Sequence, residues 1–417
     1  MNYIFYLLVL SIFGCALQIQ HKPANAQESL IKTGAEQTEL YVPYLKGKRV
    51  AFMGNPTSVI GKTHVVDSLH KLGVNIVKVF GPEHGFRGNA SAGSHVKDEK
   101  DAATGIPIIS LYGSRNKPTK EDLADVDVFV YDLQDVGVRF YTYINSMVRI
   151  MEACAENGKE LLILDRPNPN GYLVDGPVLD MKYKSGIGMF PIPISHGLTV
   201  AEFAQMVNGE GWVSYASSRT AAPDPAKAGL KCQLKIIPVA NYRHSMPYTL
   251  PVAPSPNLNT QQSILLYPST CLFEGIYLNH GRGTYDPFCV LGSPELKGKY
   301  AFSYTPTGIK GMAETPLFMN QVCYGLDLRG YDTDSLRESG KINIQWILEL
   351  YKAHPFKEKF FDRKLSNQMG NIDGLVGDGN FRQQVKEGWT EEQIRATWEP
   401  GLTAYREMRK KYLIYED

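Results

Sequence analysis

Cysteine is scarce, with six in 417 residues and no CxxC pair among them. Cys15 falls in a leading apolar stretch, and the other five (Cys154, Cys232, Cys271, Cys289 and Cys323) are odd in number, so neither a disulfide framework nor a zinc site is expected. Charge of one sign is missing as well. With 44 basic against 43 acidic residues and no basic run, the chain lacks the electrostatic footprint that nucleic acid or an anionic membrane surface demands. No apolar run reaches the roughly 20 residues a transmembrane helix needs. There is no GxSxG elbow, no HExxH and no GxGxxG after a strand, and Gly54 and Gly61 stand too far apart for a phosphate loop ending Gly61-Lys62-Thr63. Serine-hydrolase, zincin, NAD and ATP chemistry are disfavoured, and no cofactor is expected. The one metal alternative would pair His84 with His196 or His280.

What is present is a chain 43% hydrophobic, enough for a sizeable core and more than one compact domain usually holds. Tyr3 to Leu17 is almost wholly apolar, and the polar segment after it ends Ala24-Asn25-Ala26, the shape of a secretion signal occupying residues 1–26. Ile12-Phe13-Gly14-Cys15 offers lipoprotein processing at Cys15 as the alternative. Either route predicts an exported, periplasmic protein.

From residue 27 to about 212, strand-like and helix-like patterns alternate. Val50–Met53, Asn75–Phe80, Ile106–Leu111, Val126–Tyr131 and Leu161–Leu164 read as buried strands; Thr63–Leu72 and Phe140–Glu156 read as amphipathic helices, and Thr199 opens another with a capping box. This order predicts a Rossmann-like, mostly parallel sheet with helices on both faces. Beyond 213 the texture changes to Pro, Ser and Ala, and residues 213–417 read as an α+β domain, with strands near Leu234–Val239 and Gly275–Leu278. Helices are expected near Ile342–Tyr351, Glu391–Ala396 and Leu402–Lys411. The active-site cleft should lie between the two domains.

Open parallel sheets bind ligands beyond the carboxyl ends of their strands. The sequence loads those ends with Asn55, with Gly81-Pro82-Glu83-His84-Gly85, with Asp132, Gln134 and Asp135, and with Asp165, Arg166 and Asn168. Glu83 is the sharpest: glycines flank it, Pro82 stiffens the loop, and His84 and Arg87 are placed to tune a carboxyl group that could protonate a leaving oxygen. The bland alternative makes Glu83 a helix cap or the ion-pair partner of Arg87. Asp132 is the candidate second carboxylate or sugar-hydroxyl acceptor, Asp135 a helix cap, and Asp165 with Arg166 either a substrate contact or a pair holding a Pro-rich loop. Arg139 and Tyr141 complete that polar run. Glu274 and Arg282, among glycines in the second half, suit a loop closing on a ligand.

These runs resemble a known family. GPEHGFRG at 81–88, VYDLQDVGVRFYTYI at 130–144, LDRPNPNG at 164–171 and FEGIYLNHGRGT at 273–284 are similar to the NamZ-type exo-β-N-acetylmuramidases, glycoside hydrolase family 171. The resemblance covers about Val50 to the C-terminus. It implies removal of terminal N-acetylmuramic acid from the non-reducing ends of peptidoglycan fragments, with the PEHG glutamate, Glu83, as catalytic acid. The fourth run departs from the family pattern, with Ile276 and Asn279-His280 where Thr and Ser-Glu are expected. Muramic acid carries a lactyl carboxylate that an arginine fork can grip, and Arg87, Arg139, Arg166 and Arg282 are the candidates. A non-catalytic peptidoglycan-sugar-binding protein would use the same cleft, and a metal-dependent amidase is the remaining rival.

Overall fold

Alternation along three strands sorts the core into two layers. In β1 (Val50–Gly54), Ala51 and Met53 join one hydrophobic cluster while Val50 and Phe52 join the other. Residues Val128–Asp132 and Glu160–Leu164 divide the same way, as side chains of period two must when both faces of a sheet are covered. A computed structural model describes residues 30–83, 85–88, 99–113, 115–218, 220–362 and 371–417. Residues 31–417 are one compact unit; residues 1–30 are a separate one, of which Leu30 is described. The leader, Cys15 and His84 lie outside the described residues.

Among the described residues the main sheet has seven strands. After β1 come β2 (Ile76–Gly81), β3 (Glu99–Lys100), β4 (Pro107–Ser110), β5 (Val128–Asp132), β6 (Glu160–Leu164) and β7 (Gln233–Ile237), arranged β7-β6-β5-β1-β2-β4-β3. All pairings are parallel except β3 with β4. The six parallel strands therefore carry the doubly wound Rossmann order, whose topological switch lies between β1 and β5. Helices Thr38–Leu45 and Val65–Lys71 cover one face, and Tyr143–Glu156 and Val200–Gly209 the other. Thr199 closes the expected capping box with Glu202.

Strand β7 lies past residue 213 yet completes the main sheet, pairing with β6 from Gln233↔Glu160 to Ile237↔Leu164. The chain after it is mainly helical, with a small antiparallel sheet formed by β8 (Val290–Ser293), β9 (Ser303–Tyr304) and β10 (Cys323–Asp327), with β10 central. The strand expected at Gly275–Leu278 does not form. Cys271–Gly275 is a 3-10 turn, and the Tyr277 amide donates to Phe360 O at 2.9 Å instead of joining a ladder. The two helices expected after Thr390 are one, Glu391–Lys410, running through Pro400; the Ala396 carbonyl this proline orphans is on the exposed side.

A helix hidden by proline connects the two halves. Gln261–Thr270 contains Pro268, which can give no hydrogen bond to the Ile264 carbonyl; Asn170 Nδ2 donates to it instead at 3.2 Å, and to Val136 O at 2.9 Å. One side chain of the LDRPNPNG run thus ties the β5 and β6 loops to the second half.

Candidate active site

The loops after β1 and β5 meet across the switch point. Asn55 Oδ1 accepts from the Thr57 amide at 2.9 Å, Thr57 Oγ1 accepts from the Gln134 amide at 3.2 Å, and the Ser58 hydroxyl donates to the Asp132 carbonyl. Asn55 Nδ2 then reaches the Tyr143 hydroxyl at 3.0 Å. The acid loop packs on this assembly. Gly88 has φ +78°, and a Cβ there would stand 2.7 Å from Pro56 Cγ, so only glycine lets the two loops close.

Glu83 lies two residues past β2, half-buried, and its Oε1 accepts from the Tyr112 hydroxyl at 3.1 Å. Tyr112 follows β4, and β2 and β4 end side by side at Gly81↔Ser110, so adjacent strand ends supply carboxyl and donor. Burial, then the Glu83 charge, pushes the Tyr112 phenol up to about 12, which keeps it a donor at neutral pH. The Glu83 charge is also felt at Tyr143.

From Tyr143 a line of rings leads into the second half. Tyr143 meets Tyr141 edge-on at 4.9 Å between centroids, Tyr141 meets Tyr267 at 6.3 Å, and Tyr267 meets Phe288 at 4.8 Å. His280 lies 5.1 Å from Phe288. There Arg282 gives Nη2 to Glu274 Oε1 at 2.6 Å and Nε to His280 Nε2 at 3.1 Å. Burial opposes the Glu274 charge, and the Arg282 guanidinium outweighs it, holding the carboxyl below its usual range. Burial drives His280 down to about 3, so its ring is a neutral acceptor for Arg282.

Several residues expected to touch substrate are committed elsewhere. Arg166 grips Asp132 in a buried bidentate pair at 2.6 and 2.9 Å; burial pushes the Asp132 carboxyl up against that pull. Both Asp132 oxygens are thus engaged by Arg166 in a fully buried pair. Arg87 is shared between Asp67 and Asp101 through four bonds of 2.7 to 3.0 Å. Buried Arg139 meets no carboxylate among the described residues: it donates to the carbonyls of Pro177, Ile192, Leu375 and Val376, and burial lowers it to about 9. It is a clamp between the halves. Gln134 Nε2 donates to the Asp135 and Pro167 carbonyls, and Asn168 Nδ2 to Leu198 O. Tyr141 borders the ring line but spends its hydroxyl on Pro254 O at 2.7 Å. Asp135 does not cap the helix; it accepts from the Gly137 amide at 2.7 Å and faces His196 at 3.6 Å.

Asp165 is sealed under the C-terminus, accepting from the Tyr415 hydroxyl at 2.6 Å and the Ala201 amide at 3.1 Å. Burial, against the Tyr415 bond, raises its carboxyl from the ordinary 3.8 to about 7. Between those values the folded chain holds a proton the unfolded chain has lost, so stability is greatest in acid and declines as pH rises through about 7. A gap of that size is worth about 4 kcal/mol. Denaturant midpoints from about pH 5 to about pH 8 should fall more steeply in wild type than in Asp165→Asn; parallel slopes would refute the assignment.

Among the described residues, then, the expected carboxylates sort themselves. Asp132 and Glu274 are held by guanidinium groups, Asp165 is sealed, and Glu83 is part-exposed on a neutral phenol. No group of three or more metal-ligating side chains occurs among the described residues. Residue-type scanning missed Tyr112, Tyr143 and Tyr267. The strand-end rule that marks Glu83 marks Tyr112 equally, since both stand two residues beyond their strands; Tyr143 reads as an inward helix position.

Comparison with known proteins supplies the lineage. The N-terminal region of the exo-β-N-acetylmuramidase NamZ family matches residues 50–262, and its C-terminal region matches residues 265–415. The chain is 34% identical over 439 residues to the peptidoglycan β-N-acetylmuramidase NamZ of Bacillus subtilis (strain 168), covering 98% of each. Two solved DUF1343 family proteins of Bacteroides fragilis NCTC 9343 share the fold. One superposes with TM-score 0.82 at 42% identity, covering 93% of this chain and 100% of that one; the other with 0.73 at 29%, covering 93% and 99%. Matched along nearly its whole described length, the chain belongs to the exo-β-N-acetylmuramidase NamZ family.

Proposed function

We propose that this protein is an exported glycoside hydrolase that removes β-linked N-acetylmuramic acid from the non-reducing ends of peptidoglycan fragments, with Glu83 as the proton donor. The observation that carries the reading is Glu83 itself: a half-buried carboxyl beside the switch point whose partner among the described residues is a phenol and not a cation. A glycosidase acid must be protonated before it acts, and a guanidinium partner would oppose that. With Tyr112 donating to Oε1, the proton belongs on Oε2, free to pass to the glycosidic oxygen as the bond to the sugar breaks. The Bacillus subtilis relative's name supports peptidoglycan as the substrate, and the apolar leader supports export to where it lies.

Selectivity for muramic acid falls to Arg282. Arg87, Arg139 and Arg166 are spent on internal partners, whereas Arg282 stands on the ring line with its side chain 26% exposed. Nε and Nη2 are occupied by His280 and Glu274, which leaves Nη1 for the lactyl carboxylate.

The test is chromophore release from a β-N-acetylmuramide beside the matching β-N-acetylglucosaminide. Release from the muramide alone supports the reading; release from neither by folded protein defeats it in favour of a sugar-binding protein. Tyr112→Phe removes one hydrogen bond to the acid, worth about 1 kcal/mol, and should lower kcat about fivefold with the melting temperature held. An unaltered kcat would show that the contact orients nothing.

A further inference from the structure

Two of the scarce cysteines meet in the core. Cys154 stands in the last turn of the Tyr143–Glu156 helix, and Cys232 immediately precedes β7, 78 positions later; both are buried in the same hydrophobic layer. The Cys154 thiol donates to the Cys232 sulfur, and Cys232 gives its own proton to Gln233 O at 3.7 Å. The other described cysteines keep different company. Cys271 meets Tyr267, Cys289 meets Thr260, and the Cys323 thiol donates to Gln321 O at 3.8 Å.

Both backbones at the sulfur contact are fixed. Asn208, on the Val200–Gly209 helix, holds Cys232 at its two main-chain groups: Oδ1 accepts from the Cys232 amide at 3.0 Å, and Nδ2 donates to the Cys232 carbonyl at 2.7 Å. On the other side the Cys154 carbonyl accepts from the Lys159 amide at 2.8 Å, closing the helix against the turn into β6. The pair therefore meets through the fold and not through a passing rotamer. Burial first, then the bond to Cys232, raises the Cys154 thiol well above its ordinary range, so in the folded chain it is no nucleophile at neutral pH. A reactive or catalytic thiol is excluded by that, and a bridge is not. Scarce cysteines in odd number argue against a framework of disulfides; one bridge across a long loop is a different device, and the longer the loop the more freedom it removes from the unfolded chain. Its place is apt, because β7 is an edge strand held to the sheet by β6, and edges are where sheets open.

Resting on the export reading of the proposed function, we propose that Cys154 and Cys232 are a modification site, joined by a disulfide as the chain folds outside the cytoplasm. Two S–H bonds break and one S–S bond forms. The two protons and two electrons pass to a disulfide-bearing thiol oxidant of that compartment, which is reduced to two thiols. The exchange precedes burial, while both cysteines are ordinary thiols of an unfolded chain, and the finished bridge ties the end of the Tyr143–Glu156 helix to the edge strand.

The experiment makes the chain in a bacterial host whose envelope contains a dithiol oxidase, once with its own leader and once with a host secretion signal in place of residues 1–26, and again in the same host lacking the oxidase. Denatured protein is alkylated before and after reduction and its peptides are weighed. Envelope protein should show Cys154 and Cys232 protected until reduction and cross-linked to each other, with Cys271, Cys289 and Cys323 alkylated throughout. It should melt about 5 °C above protein from the oxidase-deficient host, a difference that vanishes in Cys232→Ser. Free Cys154 and Cys232 in envelope protein overturn the site, as does a bridge to any other cysteine, and equal melting temperatures overturn the stabilising role. If the chain with its own leader stays in the cytoplasm while the signal-borne chain carries the bridge, the export reading fails and the pairing stands.

Discussion

Glu83→Gln should lower kcat on a muramic-acid-terminated disaccharide by about 10²- to 10⁴-fold, the range a positioned general acid contributes, while the ligand still binds. Glutamine keeps the carbonyl oxygen that accepts from Tyr112 at 3.1 Å, so the loop between β2 and Phe86 retains its anchor and loses only the transferable proton. The defect should shrink as the leaving group improves, because an aryl oxide that departs unaided asks little of an acid. Steady-state kinetics with disaccharide and nitrophenyl muramides, beside calorimetric affinities, checks both parts. A variant with more than about a tenth of wild-type kcat on the disaccharide would remove Glu83 from the acid role. A defect equally large for every leaving group would move it from acid to another step.

Arg166→Met should cost about 3–5 kcal/mol of stability, because it strands the fully buried Asp132 carboxylate. The Arg166 fork also reaches Val59 O at 3.2 Å, so the loss spreads into the hairpin ahead of the Val65–Lys71 helix. Removing both charges in Asp132→Leu/Arg166→Met should recover most of the loss, since two apolar groups of similar volume demand no solvation. Urea denaturation of the two single variants and the double closes the cycle. If the double variant is no more stable than Arg166→Met, the pair is not what holds these loops.

Both predictions depend on loops after strands, where sequence was most and least informative at once. The continuous apolar runs at Val50–Gly54, Val128–Asp132 and Glu160–Leu164 are a local property, and such runs suit strands buried on both faces, as in a parallel sheet covered by helices. Strand β7 was legible as a strand but not as a member of that sheet, because pairing with β6 involves residues 73 positions apart and leaves no local mark. The helix Gln261–Thr270 was illegible for the opposite reason. Pro268 argues against it locally, and Asn170, some ninety positions away, supplies the missing hydrogen bond.

The candidate site divides along the same line. Composition, spacing and strand ends picked out Glu83, Asn55, Glu274 and Arg282 as polar groups in glycine-rich loops, and the structure arranges Asn55 beside Tyr143 and Arg282 on Glu274. What no local pattern conveyed was which charges were already spent. Arg87, Arg139 and Arg166 look alike in sequence, yet one bridges two aspartates, one caps four carbonyls and one is locked to Asp132. By itself the sequence determined the strand order of chemistry, the two-faced sheet and the glutamate in its loop, because these depend on residues a few positions apart. Only the tertiary structure decided which of the expected carboxylates has no cation partner among the described residues, because the partners that satisfy a buried charge come from distant parts of the chain.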